Sequence, residues 1–166
     1  MAVIGNPKYE ARIQHHFAKY PDKRSAVMPL LYIAQEEYGW VNEDGIREVA
    51  QLCELDPTHI KSIAGFYTMY SERPKGKYWL QVCTDLACAL RGADAFHQEL
   101  KDYLDVEEGG TSADGLFTVE HVMCLAACDK APMLQCNFHY MEDLDMEKMK
   151  AFIEQKRAEL EQESNV

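Results

Sequence analysis

Cys83-Thr84-Asp85-Leu86-Ala87-Cys88 and Cys124-Leu125-Ala126-Ala127-Cys128 are the stretches on which the reading of this chain turns. Each follows a short strand-like run, 78–82 before the first and 116–123 before the second, so each reads as a loop leaving the end of a strand. A helix expected over 89–104 supplies a crossover between the two strands, which lets them run parallel. Both loops then leave the same edge of one sheet. Four thiolates meeting there form a soft, anionic cage that suits Zn(II) or an iron–sulfur cluster.

The composition frames that reading. With 166 residues, 47% hydrophobic and 27% charged, the chain is long enough to bury a core and carries no repeat or low-complexity tract. Its 17 Lys and Arg against 28 Asp and Glu leave a net charge of −11, concentrated late in the chain, and such a surface repels nucleic acid and anionic lipid. Short basic runs at 8–23 and 73–77 suit an acidic protein partner. No export signal is expected at the start. The longest near-apolar run, 26–34, contains Pro29 and is too short to cross a bilayer. A cytoplasmic setting is expected, in which six cysteines read as metal ligands and core thiols rather than a disulfide framework.

Working outward, the sequence divides into an N-terminal helical bundle with its connector, 1–76, and an α/β domain, 77–166. Four helices are expected in the first. One over 9–20 turns Ile13, Phe17 and Tyr20 to one side. A second is capped by Ser25, carries Val27, Leu30, Leu31, Ala34 and Tyr38 at helical spacing and stops at Gly39. Asn42 opens a third with Ile46, Val49, Ala50 and Cys53 inward. Asp56-Pro57 opens a fourth with Ile60, Ile63 and Ala64 on one face. Such a bundle packs or docks. A helix-turn-helix DNA reader is the sharper alternative, and the acidic balance argues against it. In the second half, strands at 133–136 and 138–141 turn at Asn137. A closing helix starts at Asp145 with a Leu144–Met149 staple, and the tail beyond 161 reads as frayed.

The spacing leaves the metal open. Structural zinc favours CxxC knuckles, whereas these pairs are CxxxxC and CxxxC; looser loops suit a longer two-iron rhomb. A redox dithiol wants CxxC at a helix start, and neither pair has that form. The two cysteine motifs, with Leu90-Arg91-Gly92-Ala93 after the first and Asp129, Ala131 and Pro132 after the second, resemble the small 2Fe-2S subunit of the NADH-oxidising module of respiratory complex I. The resemblance extends back through Tyr20-Pro21, Ser25-Ala26, the run Gln35-Glu36-Glu37-Tyr38-Gly39-Trp40, and Gly65-Phe66-Tyr67-Thr68. It implies a thioredoxin-like 2Fe-2S ferredoxin domain behind the helical bundle, with Cys83, Cys88, Cys124 and Cys128 as ligands of one 2Fe-2S cluster. It also implies electron exchange with the FMN of an NADH-binding partner subunit, and a place beside other peripheral-arm subunits at the inner face of the cytoplasmic membrane, without insertion into it. FMN and NADH are expected on the partner. Related subunits of NAD-linked hydrogenases and formate dehydrogenases, and a zinc-stabilised interaction module, are the alternatives.

The sequence departs from that family's usual pattern at Met123, where a Glu is common, at Ala126, where Gly would permit φ > 0, and at Cys136, where an aliphatic residue is commoner. Cys53 and Cys136 read as buried thiols. His15 and His16 point different ways on a helix, and His97 and His139 read as solvated or hydrogen-bonded. His121, three residues before Cys124, is the candidate donor behind the ligands. Tyr67, Tyr70, Tyr78 and Trp79 read as core or docking aromatics. Gly109-Gly110 is too isolated to cradle a phosphate.

Overall fold

The structure is a computed structural model that describes residues 2–164. The chain forms two compact units, Met1–Pro74 and Lys75–Val166.

The first unit contains α1 (Pro7–Lys19), a 3-10 turn (Lys23–Ala26), α2 (Val27–Tyr38), α3 (Glu43–Cys53) and α4 (Pro57–Phe66). Local signals set most of these ends. The Asn42 side chain accepts the Gly45 N–H at 2.8 Å, Asp56 accepts that of Thr58 at 2.8 Å with Pro57 behind it, and Gly39 ends α2 at φ 78°. Two expectations fail here. Ser25 does not cap α2: it lies inside the 3-10 turn, which Asp22 caps through the Arg24 N–H at 2.8 Å. Ala26 is already helical, so the turn runs into α2 and leaves no free amide end for Ser25. Tyr20 is not on the buried face of α1 either; the helix starts earlier, at an Asn6 cap, and buries Tyr9 and Ile13.

Leu30, Leu31, Ile33, Val49 and Ile60 fill this unit's core, with Cys53 among them. Each such aliphatic side chain contributes roughly 1.5–3 kcal/mol by leaving water. Burial pushes the Cys53 thiol up to about 11. A buried Gln35 fastens the connector, accepting the Ser71 N–H at 2.7 Å and donating to the Met69 carbonyl at 3.1 Å. Tyr70 is buried beside it and Tyr67 is exposed.

The second unit contains β1 (Tyr78–Cys83), α5 (Leu86–Leu90), α6 (Ala93–Leu104), β2 (Phe117–Val122), a 3-10 turn (Cys128–Lys130), β3 (Leu134–Cys136), β4 (His139–Met141) and α7 (Met146–Ser164). The sheet order is β2-β1-β3-β4, with β1 and β2 parallel and the other two pairings antiparallel. β1 after its first residue, the first half of β2 and all of β3 are buried on both faces, and alternation decides which side each residue packs on: Leu80, Val82, Val119, Leu134 and Cys136 join Phe96 and Leu100 of α6 and Met149 and Ile153 of α7 in one core. Tyr78 stacks on Phe117 with ring centres 5.3 Å apart, and Trp79 is buried.

The single helix expected over 89–104 is two. Gly92 at φ 88° ends α5 and starts α6, which leaves Ala89 half-buried and Leu90 exposed. Asp145 does open α7, accepting the Lys148 N–H at 2.8 Å, and Leu144 and Met149 are both buried. The tail expected to fray from 161 continues as helix through Ser164; residues 165–166 lie outside the described residues.

Candidate metal centre

The parallel register sets Cys83, last in β1, opposite Val122, last in β2, and the Thr84 N–H bonds the Val122 carbonyl at 3.2 Å one step beyond. Both cysteine loops therefore start from the same end of the sheet. The first loop turns directly into α5, so Cys83 closes a strand and Cys88 sits in the first turn of a helix. Both are buried, at 3% and 2% exposure. The second loop alternates instead: Leu125 and Ala127 pack against a small cluster of Cys83, Cys88, Ala93, Ala131 and Met133, which leaves Cys124 and Cys128 outward and exposed, their sulfurs 3.9 Å apart.

All four cysteines line one cavity of about 190 Å³, together with Asp85, Leu86 and Ala87. One water needs roughly 15 Å³ of such space, so there is room for more than a single ion. The sulfurs form two couples, Cys83 with Cys88 and Cys124 with Cys128, and Cys128 feels the charge of Cys83 across the cavity. Among the described residues no three His, Cys, Asp or Glu side chains close tightly on one point.

The electrostatics fit a cationic group. Burial, and then the Cys83 thiol, push the Cys88 thiol up to about 11, against a backbone hydrogen bond from Met133 that pulls it down. Cys128 is raised first by its hydrogen bond with Cys124 and by that thiol's charge. Thiols that resist ionising beside one another are a donor set that a metal centre relieves, because its positive charge makes the thiolates favourable.

The second loop has little regular structure and is held by bonds from elsewhere. Ala126 adopts φ 61°, a left-handed conformation costing roughly 1–2 kcal/mol for a non-glycine residue, and its N–H donates to Cys124 Sγ at 3.3 Å. The Leu125 carbonyl accepts from the Tyr140 hydroxyl at 2.7 Å. Farther on, the Lys130 and Pro132 carbonyls accept from Asp143 and Leu144 at 2.9 and 2.8 Å, and the Ala131–Pro132 peptide is cis.

The four expected cysteines thus meet, while His121 does not join them. Its Nδ1 lies 2.9 Å from Glu108 Oε1 and its backbone N–H bonds the same oxygen at 2.7 Å, so a carboxylate from the 107–110 loop holds the ring. His97 is buried, its Nε2 3.2 Å from the other Glu108 oxygen without hydrogen-bond geometry, and burial lowers its pKa. His15 and His139 are exposed and His16 is half-buried. Cys136 is a core thiol in β3, pushed up to about 11 by burial and absent from the cavity lining. Sequence reasoning missed Asp85, which lines the cavity, and Met133 and Tyr140, which bond to the two loops. No local pattern marks the last two, since their partners are many residues away.

Residues 13–157 match the family described as thioredoxin-like 2Fe-2S ferredoxin. An NADH-quinone oxidoreductase subunit of Mycobacterium tuberculosis is 35% identical over 152 residues, 92% of this chain and 60% of that protein. NADH-quinone oxidoreductase subunit 2 of Thermus thermophilus is 40% identical over 149 residues, 88% of this chain and 82% of that protein. The chain therefore spans about 60% of the length of the mycobacterial relative. In three dimensions it is similar to a chain of an NAD+-reducing NiFe hydrogenase, with TM-score 0.68 and 23% identity over 78% of this chain and 23% of that one, a likeness of fold. With the family match running through both cysteine loops and the strands that carry them, this chain belongs to the thioredoxin-like 2Fe-2S ferredoxin family.

Proposed function

We propose that this chain is the electron-transfer subunit of an NADH-quinone oxidoreductase. Cys83, Cys88, Cys124 and Cys128 hold one 2Fe-2S cluster, which exchanges electrons with the FMN of an NADH-oxidising partner subunit. The observation that carries the reading is the meeting of two thiol couples, delivered by the ends of β1 and β2, around one cavity. Bound there, the cluster supplies a site that takes up and releases one electron at a time. The chain's own part is to fix the sulfurs. The parallel strands set the separation of the couples, burial keeps water from Cys83 and Cys88, and the Met133 and Ala126 amides donate to sulfur. The relatives' names supply the complex, and a position at the inner face of the cytoplasmic membrane among other peripheral-arm subunits follows from that reading. No helix among the described residues is long and apolar enough to cross a membrane.

The purified protein should be brown and contain two irons and two sulfides per chain. Serine at any of the four cysteines should remove or weaken the visible spectrum. A colourless protein with a single zinc sinks the reading in favour of a zinc-stabilised interaction module. A flavoprotein copurifying from the native host supports the partner; one that comes with a hydrogenase or formate dehydrogenase subunit moves the chain to those complexes.

A further inference from the structure

The β3–β4 hairpin touches both cysteine loops. At its start Met133 accepts the Cys83 N–H at 3.2 Å and bonds the Cys88 sulfur through its backbone. On its returning strand Tyr140, which pairs with Gln135, extends its hydroxyl to the Leu125 carbonyl at 2.7 Å. The peptide joining Leu125 to Ala126 carries both that carbonyl and the N–H that faces Cys124 Sγ. A peptide unit is planar, so fixing its oxygen fixes the direction of its N–H. Without such a brace, the left-handed conformation of Ala126 has other backbone conformations below it in energy.

We propose that Tyr140 is a positioning residue for the second thiol couple: its hydroxyl holds the Leu125–Ala126 peptide in the orientation that aims the Ala126 N–H at Cys124 sulfur. The inference rests on the cluster reading for its redox consequence and on the bond itself for its structural one. An N–H donated to sulfur stabilises the more negative, reduced state and raises the potential. Removing the hydroxyl therefore lowers the potential.

Tyr140→Phe deletes one oxygen from a side chain that is half exposed, so the fold is retained. Two measurements test the proposal on full-length protein, with His139→Ala, an exposed neighbour on the same strand, as control. Amide hydrogen exchange at 125–127 should rise about fivefold, the factor for one ordinary hydrogen bond, while amides at 84–88 keep their rates. Redox titration followed by electron paramagnetic resonance should give a lower midpoint for Tyr140→Phe than for wild type, and an unchanged one for His139→Ala. Brown Tyr140→Phe protein with wild-type exchange and potential overturns the inference and leaves the cluster reading standing. A lower potential with unaltered exchange also overturns it, since the hydroxyl then acts through its dipole and not by holding the loop. Colourless wild-type protein without iron overturns the cluster reading and the redox consequence together.

Discussion

The two cysteine loops begin at neighbouring strand ends and are built in opposite ways. The first passes from β1 straight into α5, with backbone bonds supplied by regular structure and both thiols buried. The second has five residues in irregular conformation, one of them left-handed, with both thiols exposed and its position set by side-chain and backbone bonds from the hairpin and from the segment before α7. The contrast teaches that one couple is a fixed, desolvated part of the core, while the other is an exposed loop whose geometry is borrowed. Burial and regular hydrogen bonding make a position insensitive to solvent; an exposed loop depends on each bond that braces it.

The contrast breaks most visibly in the metal-free protein. Iodoacetamide at pH 8, followed by mass spectrometry, should label Cys124 and Cys128 at least about tenfold faster than Cys83 and Cys88, because buried thiols react only when the structure opens. Cys136, buried in the same unit with its thiol pushed up to about 11, is the internal standard. Because it reacts only once the structure opens and burial is lost, its labelling rate should climb about tenfold per pH unit up to the ordinary thiol pKa of about 8.5 and then level off. Equal labelling of all four cavity thiols at pH 8 erases the distinction between the loops.

A smaller effect is expected in stability. Cys88→Ser buries a hydroxyl in place of a thiol, and in the metal-free protein it should lose roughly 1–3 kcal/mol in urea unfolding. Cys128→Ser, at an exposed position, should leave the midpoint unchanged. A loss as large at Cys128 means that the second loop packs as firmly as the first.

Smallest is Ala126→Gly. Relief of the left-handed strain outweighs the added freedom of glycine in the unfolded chain, so a gain of about 0.5–1 kcal/mol is expected. In a thermal melt that corresponds to roughly 1–4 °C. A lower melting temperature shows that Ala126 contributes contacts beyond its backbone.

Much of the fold was legible because its signals are local. Asn42 and Asp56-Pro57 cap helices within three residues of themselves, and Asn137 turns a hairpin. Expectations failed where a neighbour took over the same role. Asp22 capped a turn that Ser25 then merely continued, and Gly92, one glycine in a helical pattern, divided α5 from α6 by going left-handed. His121 stands three residues from Cys124, yet Glu108 holds its ring, because a side chain's partner is set by what packs beside it and not by its distance along the chain.

By itself the amino-acid order determined most of the strand, loop and helix pattern, apart from the break at Gly92 and the 3-10 turn before α2, and it supplied the four thiols, since periodicity, caps and residue chemistry act over a few positions. Tertiary structure alone decided that one couple is buried and the other exposed, that Ala126 carries the left-handed turn, and that Met133 and Tyr140 reach the two loops. Those outcomes depend on which backbone groups the folded sheet brings within hydrogen-bond distance, and contacts so far apart in sequence leave no mark on any local stretch.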